Sequence, residues 1–272
     1  METIVLTSTG RRMAIADYGS GDPPILLVHA SGFSSSEWRK YLPLLSVGAR
    51  VVTVDLLGYG KSDPVVDRSP VAAREDEDGL LNVLGLIGPS RIIGHSYGGY
   101  LAAKVALASP QLVRSLVLVE PVLFGALRQD NDAESTEELA HLYEPGFLEE
   151  SFGGTERWMQ RFIDYWSGEG AWARLPDPAR RANMRVAWKV YCEVRDLSQD
   201  PRPFADYRVL SRLPTTLIRG SLTTVSARRI VDRLAEELPS AKTHVIEGAG
   251  HMSPLTHSNE LLSILERAGH AD

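Results

Sequence analysis

Only one of the 272 residues is a cysteine, Cys192, so no disulfide can form within the chain. No apolar run approaches the roughly 20 residues needed to cross a bilayer, and no cationic start followed by an apolar core and a small-residue cleavage site opens the chain. The expectation is a cytoplasmic protein with no membrane partner. Positive charge is also short: 29 Lys and Arg against 35 Asp and Glu leave a formal charge of -6 and a pI near 5.7. Nucleic acid and anionic lipid would not be attracted to such a surface. There is no His-Glu-x-x-His zinc spacing and no dinucleotide fingerprint, and the glycine turn Leu57-Gly58-Tyr59-Gly60-Lys61-Ser62 lacks the full spacing of a phosphate-binding loop. No metal and no cofactor are expected. What remains is a small apolar substrate as partner, with a homodimer allowed.

With 43% hydrophobic and 24% charged residues the composition is that of an ordinary globular chain, long enough for one large α/β domain with an inserted lobe. Residues 3–8 and 13–18 read as an antiparallel hairpin joined through Gly10. Ile25-Leu26-Leu27-Val28 and Arg50 to Asp55 are continuous apolar runs of the kind that strands covered on both faces require. Strands then alternate with helical patterns: Ile92-Ile93, 115–119, 214–219 and 242–246 are strand-like. The expected fold is α/β, a mostly parallel central sheet of about eight strands flanked by helices. Between 122 and 213 the alternation stops and the pattern turns helical, so the expected division is a core of 1–121 and 214–272 with a helical cap over 122–213.

The centre of the reading is Arg91-Ile92-Ile93-Gly94-His95-Ser96-Tyr97-Gly98-Gly99, a strand, a Gly-x-Ser-x-Gly turn and then a small-residue helix. A serine at such an apex sits on strained backbone with its hydroxyl pushed out above the sheet, while the glycines let neighbouring chain approach. Ser96 is the candidate nucleophile; a helix-capping serine is the plain alternative. At the end of the 25–28 strand, His29-Ala30-Ser31-Gly32-Phe33 can turn the Ser31 backbone N–H toward a developing oxyanion. Glu120 closes the strand at 115–119, at the edge where open α/β sheets bind ligands.

Taken in order, His29 to Phe33, Asp55 to Ser62, Gly94 to Gly99 and Gly248-Ala249-Gly250-His251 resemble the motifs of the α/β-hydrolase fold family, over essentially the whole chain. The resemblance implies Ser96 as nucleophile, His251 as general base and then acid, and the backbone N–H groups of Ser31 and Tyr97 as oxyanion hole. A serine hydroxyl needs such an imidazole to take its proton, and the imidazole needs a carboxylate to fix its tautomer. Of the other histidines, His29 and His95 adjoin the motifs and brace their loops, His257 is the fallback base, and His141, His244 and His270 belong to the lobe, a strand and the tail.

The sequence departs from the commonest family pattern at the acid. The loop Gly220-Ser221-Leu222-Thr223-Thr224-Val225 carries no carboxylate, and Asp232 lies inside the next helix. Haloalkane dehalogenases and certain lactone hydrolases carry the acid one strand earlier, and Glu120 matches that place. Serine instead of aspartate at the elbow points to acyl chemistry, so the expected activity is hydrolysis of an apolar ester or lactone through an acyl-enzyme. The alternatives are a ligand-binding or receptor protein on the same fold, and a C–C hydrolase, lyase or cofactor-free oxygenase using the same residues. Gly32 and Phe33, with Trp158, Phe162, Trp166, Trp188 and Tyr191 of the aromatic-rich lobe, are the expected substrate-binding residues.

Overall fold

β-Branched and leucine-rich runs bounded by turns build the centre of the molecule, a computed structural model that describes residues 2–65, 73–130, 132–144 and 146–269. His270 lies outside them. The strands are β1 (Glu2–Leu6), β2 (Arg12–Gly19), β3 (Ile25–Val28), β4 (Arg50–Asp55), β5 (Ser90–His95), β6 (Val113–Val119), β7 (Thr215–Gly220) and β8 (Lys242–Ile246). They form one eight-stranded sheet in the order β1-β2-β4-β3-β5-β6-β7-β8. The β1–β2 and β2–β4 pairs are antiparallel and the rest parallel. β3, β4 and β8 begin and end where the sequence places them; β6 starts two residues earlier than the apolar run suggests.

In chain order the helices are α1 (Leu42–Leu45), α2 (Ala73–Ile87), α3 (Tyr97–Ala108), α4 (Phe124–Gln129), α5 (Ala133–Tyr143), α6 (Glu156–Ser167), α7 (Ala171–Arg174), α8 (Asp177–Gln199), α9 (Val225–Glu237), α10 (Ser253–Thr256) and α11 (Ser258–Gly269). Strand periodicity divides the core between the two faces of the sheet. On β3, Leu26 and Val28 join the cluster that holds α2, α3 and α9, whereas Ile25 and Leu27 join Trp38, Leu45, Leu261 and Leu265 on the opposite face. Among the described residues, everything between β6 and β7 is helical or loop, from α4 to α8 and a 3₁₀ segment, Phe204–Arg212. Among the described residues no helix is long and apolar enough to cross a membrane.

Candidate active site

Three parallel strands deliver the chemistry to one edge. β5 ends at His95, and Ser96 follows with φ 53° and ψ -115°, a sparsely populated backbone that costs an L-residue about 1–3 kcal/mol. Its N–H donates to Val119 C=O of the neighbouring strand at 2.9 Å, and its own carbonyl accepts the Tyr100 N–H at 3.0 Å to start α3. So sharp a turn closes only over glycine. A Cβ on Gly98 would lie 2.3 Å from the Val28 carbonyl oxygen, and one on Gly94 2.3 Å from that of Gly98.

Glu120 directly follows β6 with φ 49°; among the described residues Ser96 and Glu120 are the two non-glycines with positive φ. Oε1 of Glu120 accepts the Gly220 N–H at 2.6 Å, and Oε2 accepts the Thr223 hydroxyl at 2.5 Å and His251 Nδ1–H at 3.1 Å. Burial pushes the Glu120 carboxyl up, but the His251, Thr223 and Gly220 donors outweigh it and hold it below the usual carboxylate range. His251 comes from the loop after β8. Burial lowers its pKa below the ordinary imidazole value despite the nearby Glu120, so it rests neutral. Its tautomer follows from its partners: Nδ1 faces a carboxylate and carries the proton, leaving Nε2 to accept from the Ser96 hydroxyl at 3.0 Å.

Around Ser96 most loop amides are engaged. Ala30 N–H donates to Glu37, Gly32 N–H to the Tyr59 hydroxyl at 3.1 Å, and Phe33 N–H to Ala30 C=O at 3.2 Å. Among the described residues this leaves the amides of Ser31 and Tyr97 without a protein acceptor. The expected fallback, His257, instead shares a hydrogen bond with Thr256. Asp232 pairs with Arg219 on the surface, away from His251.

A cavity of about 230 Å³ opens over Ser96 and His251. Of the expected substrate-binding residues, Gly32, Phe33, Phe162 and Trp166 line it, together with Met159 and Val190. Three other expected substrate-binding residues are placed elsewhere. Trp158 is fully buried, its indole N–H on the Phe147 carbonyl at 2.8 Å and its ring stacked between Phe147 and Phe162. Tyr191 is buried with its hydroxyl on Leu148 C=O, and Trp188 packs on Tyr191 and over Gly154. These three belong to the packing of the helical layer: one aromatic stripe along α6 serves both its own core and the cavity, and spacing alone does not separate the two uses. Trp166 does more than line the cavity. Its indole stacks on the His251 ring with centroids 3.6 Å apart and planes 20° apart.

Glu37, Thr223 and Gly220 were not singled out from sequence. Gly220 ends β7 and Thr223 lies in the loop after it, the one that lacks the expected acid, and only their contact with Glu120 reveals them. Glu37 sits in a short 3₁₀ turn, Ser35–Trp38, with no local signal that it is buried.

The family model described as "Alpha/beta hydrolase family" matches residues 25–263. A 2-hydroxy-6-oxononadienedioate/2-hydroxy-6-oxononatrienedioate hydrolase of Cupriavidus pinatubonensis is 31% identical over 91% of this chain and 86% of its own length. A pimeloyl-[acyl-carrier protein] methyl ester esterase of Yersinia pseudotuberculosis is 25% identical over 91% of this chain and 93% of its own. Among solved structures, a meta-cleavage product hydrolase from Pseudomonas fluorescens IP01 superposes with a TM-score of 0.72 at 20% identity, covering 98% of this chain and 96% of that one. With the elbow, the sheet order and these similarities together, the chain belongs to the alpha/beta hydrolase family, in its serine hydrolase branch.

Proposed function

We propose that this chain hydrolyses a small, uncharged carboxylic ester or lactone through an acyl-enzyme on Ser96. His251 takes the Ser96 proton as the oxygen attacks the carbonyl and returns it to the leaving alkoxide; it then deprotonates the water that releases the acid. Glu120 holds the imidazole and stabilises its charged form. The Ser31 and Tyr97 amides meet the oxyanion, each such donor being worth on the order of 10²–10³ in rate. The helical segment 122–213 acts as a cap, with Phe162 and Trp166 facing the substrate.

The observation that carries the ester reading is the lining of the cavity. Among the described residues that line it there is no Lys, Arg, Asp or Glu. The relative from Cupriavidus is named for dioate substrates, and two carboxylates leaving water need cationic partners. A neutral acyl compound needs none. The Glu120 carboxylate at 3.1 Å from His251 Nδ1 supports turnover over the ligand-binding alternative.

The test begins with intact-mass labelling by a small fluorophosphonate, with Ser96→Ala as control, followed by a panel of neutral esters, lactones and a dicarboxylate dienone. One equivalent of label on the parent and none on the variant is expected, with neutral esters turned over at least 100-fold faster than the dicarboxylate. Absence of labelling on folded protein would end the serine-hydrolase mechanism. Preference for the dicarboxylate would move the reading to C–C hydrolysis, and aldehyde release or oxygen uptake would move it to a lyase or oxygenase.

A further inference from the structure

Beneath the site lies a second carboxylate–imidazole pair that the triad chemistry does not use. Glu37 and His95 are both fully buried, and His95 Nδ1 lies 2.6 Å from Glu37 Oε1. The other ring nitrogen, Nε2, lies 3.0 Å from the backbone carbonyl oxygen of His251. Both ring nitrogens therefore face acceptors, a carboxylate and a carbonyl, and an imidazole satisfies two acceptors only when both nitrogens carry protons. The second oxygen of Glu37 accepts the Ala30 N–H at 2.9 Å, one residue before the Ser31 amide. One buried pair thus grips the loop that precedes the oxyanion donor and the loop that carries the catalytic imidazole.

We infer that Glu37 and an imidazolium at His95 are positioning residues that set the Ser31 amide and the His251 ring against Ser96, with their charges cancelling so that His251 stays a neutral base. The inference rests on the serine-hydrolase reading above. Burial works against a charge on His95, and the Glu37 carboxylate outweighs it, raising the pKa above the ordinary imidazole value. The charged and titratable groups that act on His251 are Glu120 through its Nδ1, His95 and Glu37. The His95 and His251 ring centroids are 5.2 Å apart, so an imidazolium at 95 opposes protonation at 251 while Glu37 and Glu120 favour it.

Three measurements test this. In the parent protein with ¹⁵N-labelled histidine, NMR should find both His95 nitrogens protonated at pH 7.5; a neutral His95 overturns the inference, whatever the variants do. Glu37→Gln can keep both contacts, its amide oxygen on the Ala30 N–H and its NH₂ on a neutral His95 whose Nε2–H still meets the His251 carbonyl. It should retain kcat within about fivefold and leave the acid limb of kcat/KM in place, whereas Glu37→Leu should lose at least 30-fold in kcat with little change in KM. His95→Gln, which strands the Glu37 charge, should move the acid limb up by about one pH unit or more, and Glu37→Gln added to it should bring the limb back. Should Glu37→Leu or His95→Gln fail to fold, the parent NMR result and the Glu37→Gln profile decide. Folded Glu37→Leu with kcat within threefold of the parent, or folded His95→Gln with an unmoved limb, overturns the inference. Fluorophosphonate labelling of the parent at Ser96 separates these failures from failure of the hydrolase reading, because it depends on neither substitution.

Discussion

Glu120→Gln tests the triad at its least expected member. The side chain keeps its shape but exchanges one acceptor for a donor, and Glu120 is used only as an acceptor. Three donors converge on it: Gly220 N–H on one oxygen, Thr223 hydroxyl and His251 Nδ1–H on the other. If the amide oxygen stays with Gly220, the NH₂ group faces His251 Nδ1, which must then accept. The imidazole proton moves to Nε2, where the ring can no longer take a proton from Ser96. If the amide turns over, its NH₂ confronts the Gly220 N–H at a position with no solvent exposure, costing about 1–3 kcal/mol. The expected loss is on the order of 10⁴ in kcat, the scale seen when an orienting carboxylate is replaced by its amide. At 1.36 kcal/mol per decade that is about 5.4 kcal/mol of transition-state stabilisation. Steady-state and burst kinetics on the best ester of the panel, with a thermal melt alongside, measure it. A folded Glu120→Gln protein with kcat within tenfold of the parent would refute the assignment.

Two further substitutions probe the geometry around it. Gly98→Ala places a methyl 2.3 Å from the Val28 carbonyl oxygen and 2.7 Å from that of His29. Backbone must shift, so a loss of about 1–3 kcal/mol in stability and on the order of 10² in kcat is expected; a melt and a turnover rate both equal to the parent's would contradict the close approach. Trp166→Leu removes the indole face from His251. The neutral ring is the working base and burial lowers its pKa, which sets the acid limb of activity lower than an ordinary imidazole would. Losing an aromatic face that favours the imidazolium, about 0.5–2 kcal/mol, should move that limb lower still and reduce kcat by roughly 2- to 30-fold. A pH profile and kcat unchanged by the substitution would show the stack to be packing alone.

The fold was legible because its buried parallel strands are short unbroken apolar runs between turns, and β3, β4 and β8 fall where those runs fall. The elbow was legible for a different reason: Gly94 and Gly98 are required by carbonyl oxygens 2.3 Å from where a Cβ would stand, so the motif states a steric fact. Glu120 stood out by its place at a strand end, and its role as the acid came from the resemblance to family members that carry that residue one strand earlier. Trp158, Trp188 and Tyr191 could not be told from Phe162 and Trp166, because helical spacing names a face and not which neighbour covers it. Glu37 stayed hidden for a related reason. Its partners, Ala30 and His95, are 7 and 58 residues away, and a lone glutamate in a serine-rich turn looks solvated until the chain is folded.

Ser96 and Glu120 share one more property. Both hold a backbone conformation that L-residues resist, at the ends of adjoining strands. Backbone hydrogen bonds to the neighbouring strands hold that shape at a cost in strain. In a lineage relieved of the need for turnover, glycine at 96 would be a downhill step, easing about 1–3 kcal/mol of backbone strain while deleting the hydroxyl. Screens that reward heat resistance alone would drift the same way, so variants of this chain selected for robustness need an activity check at that position before any other.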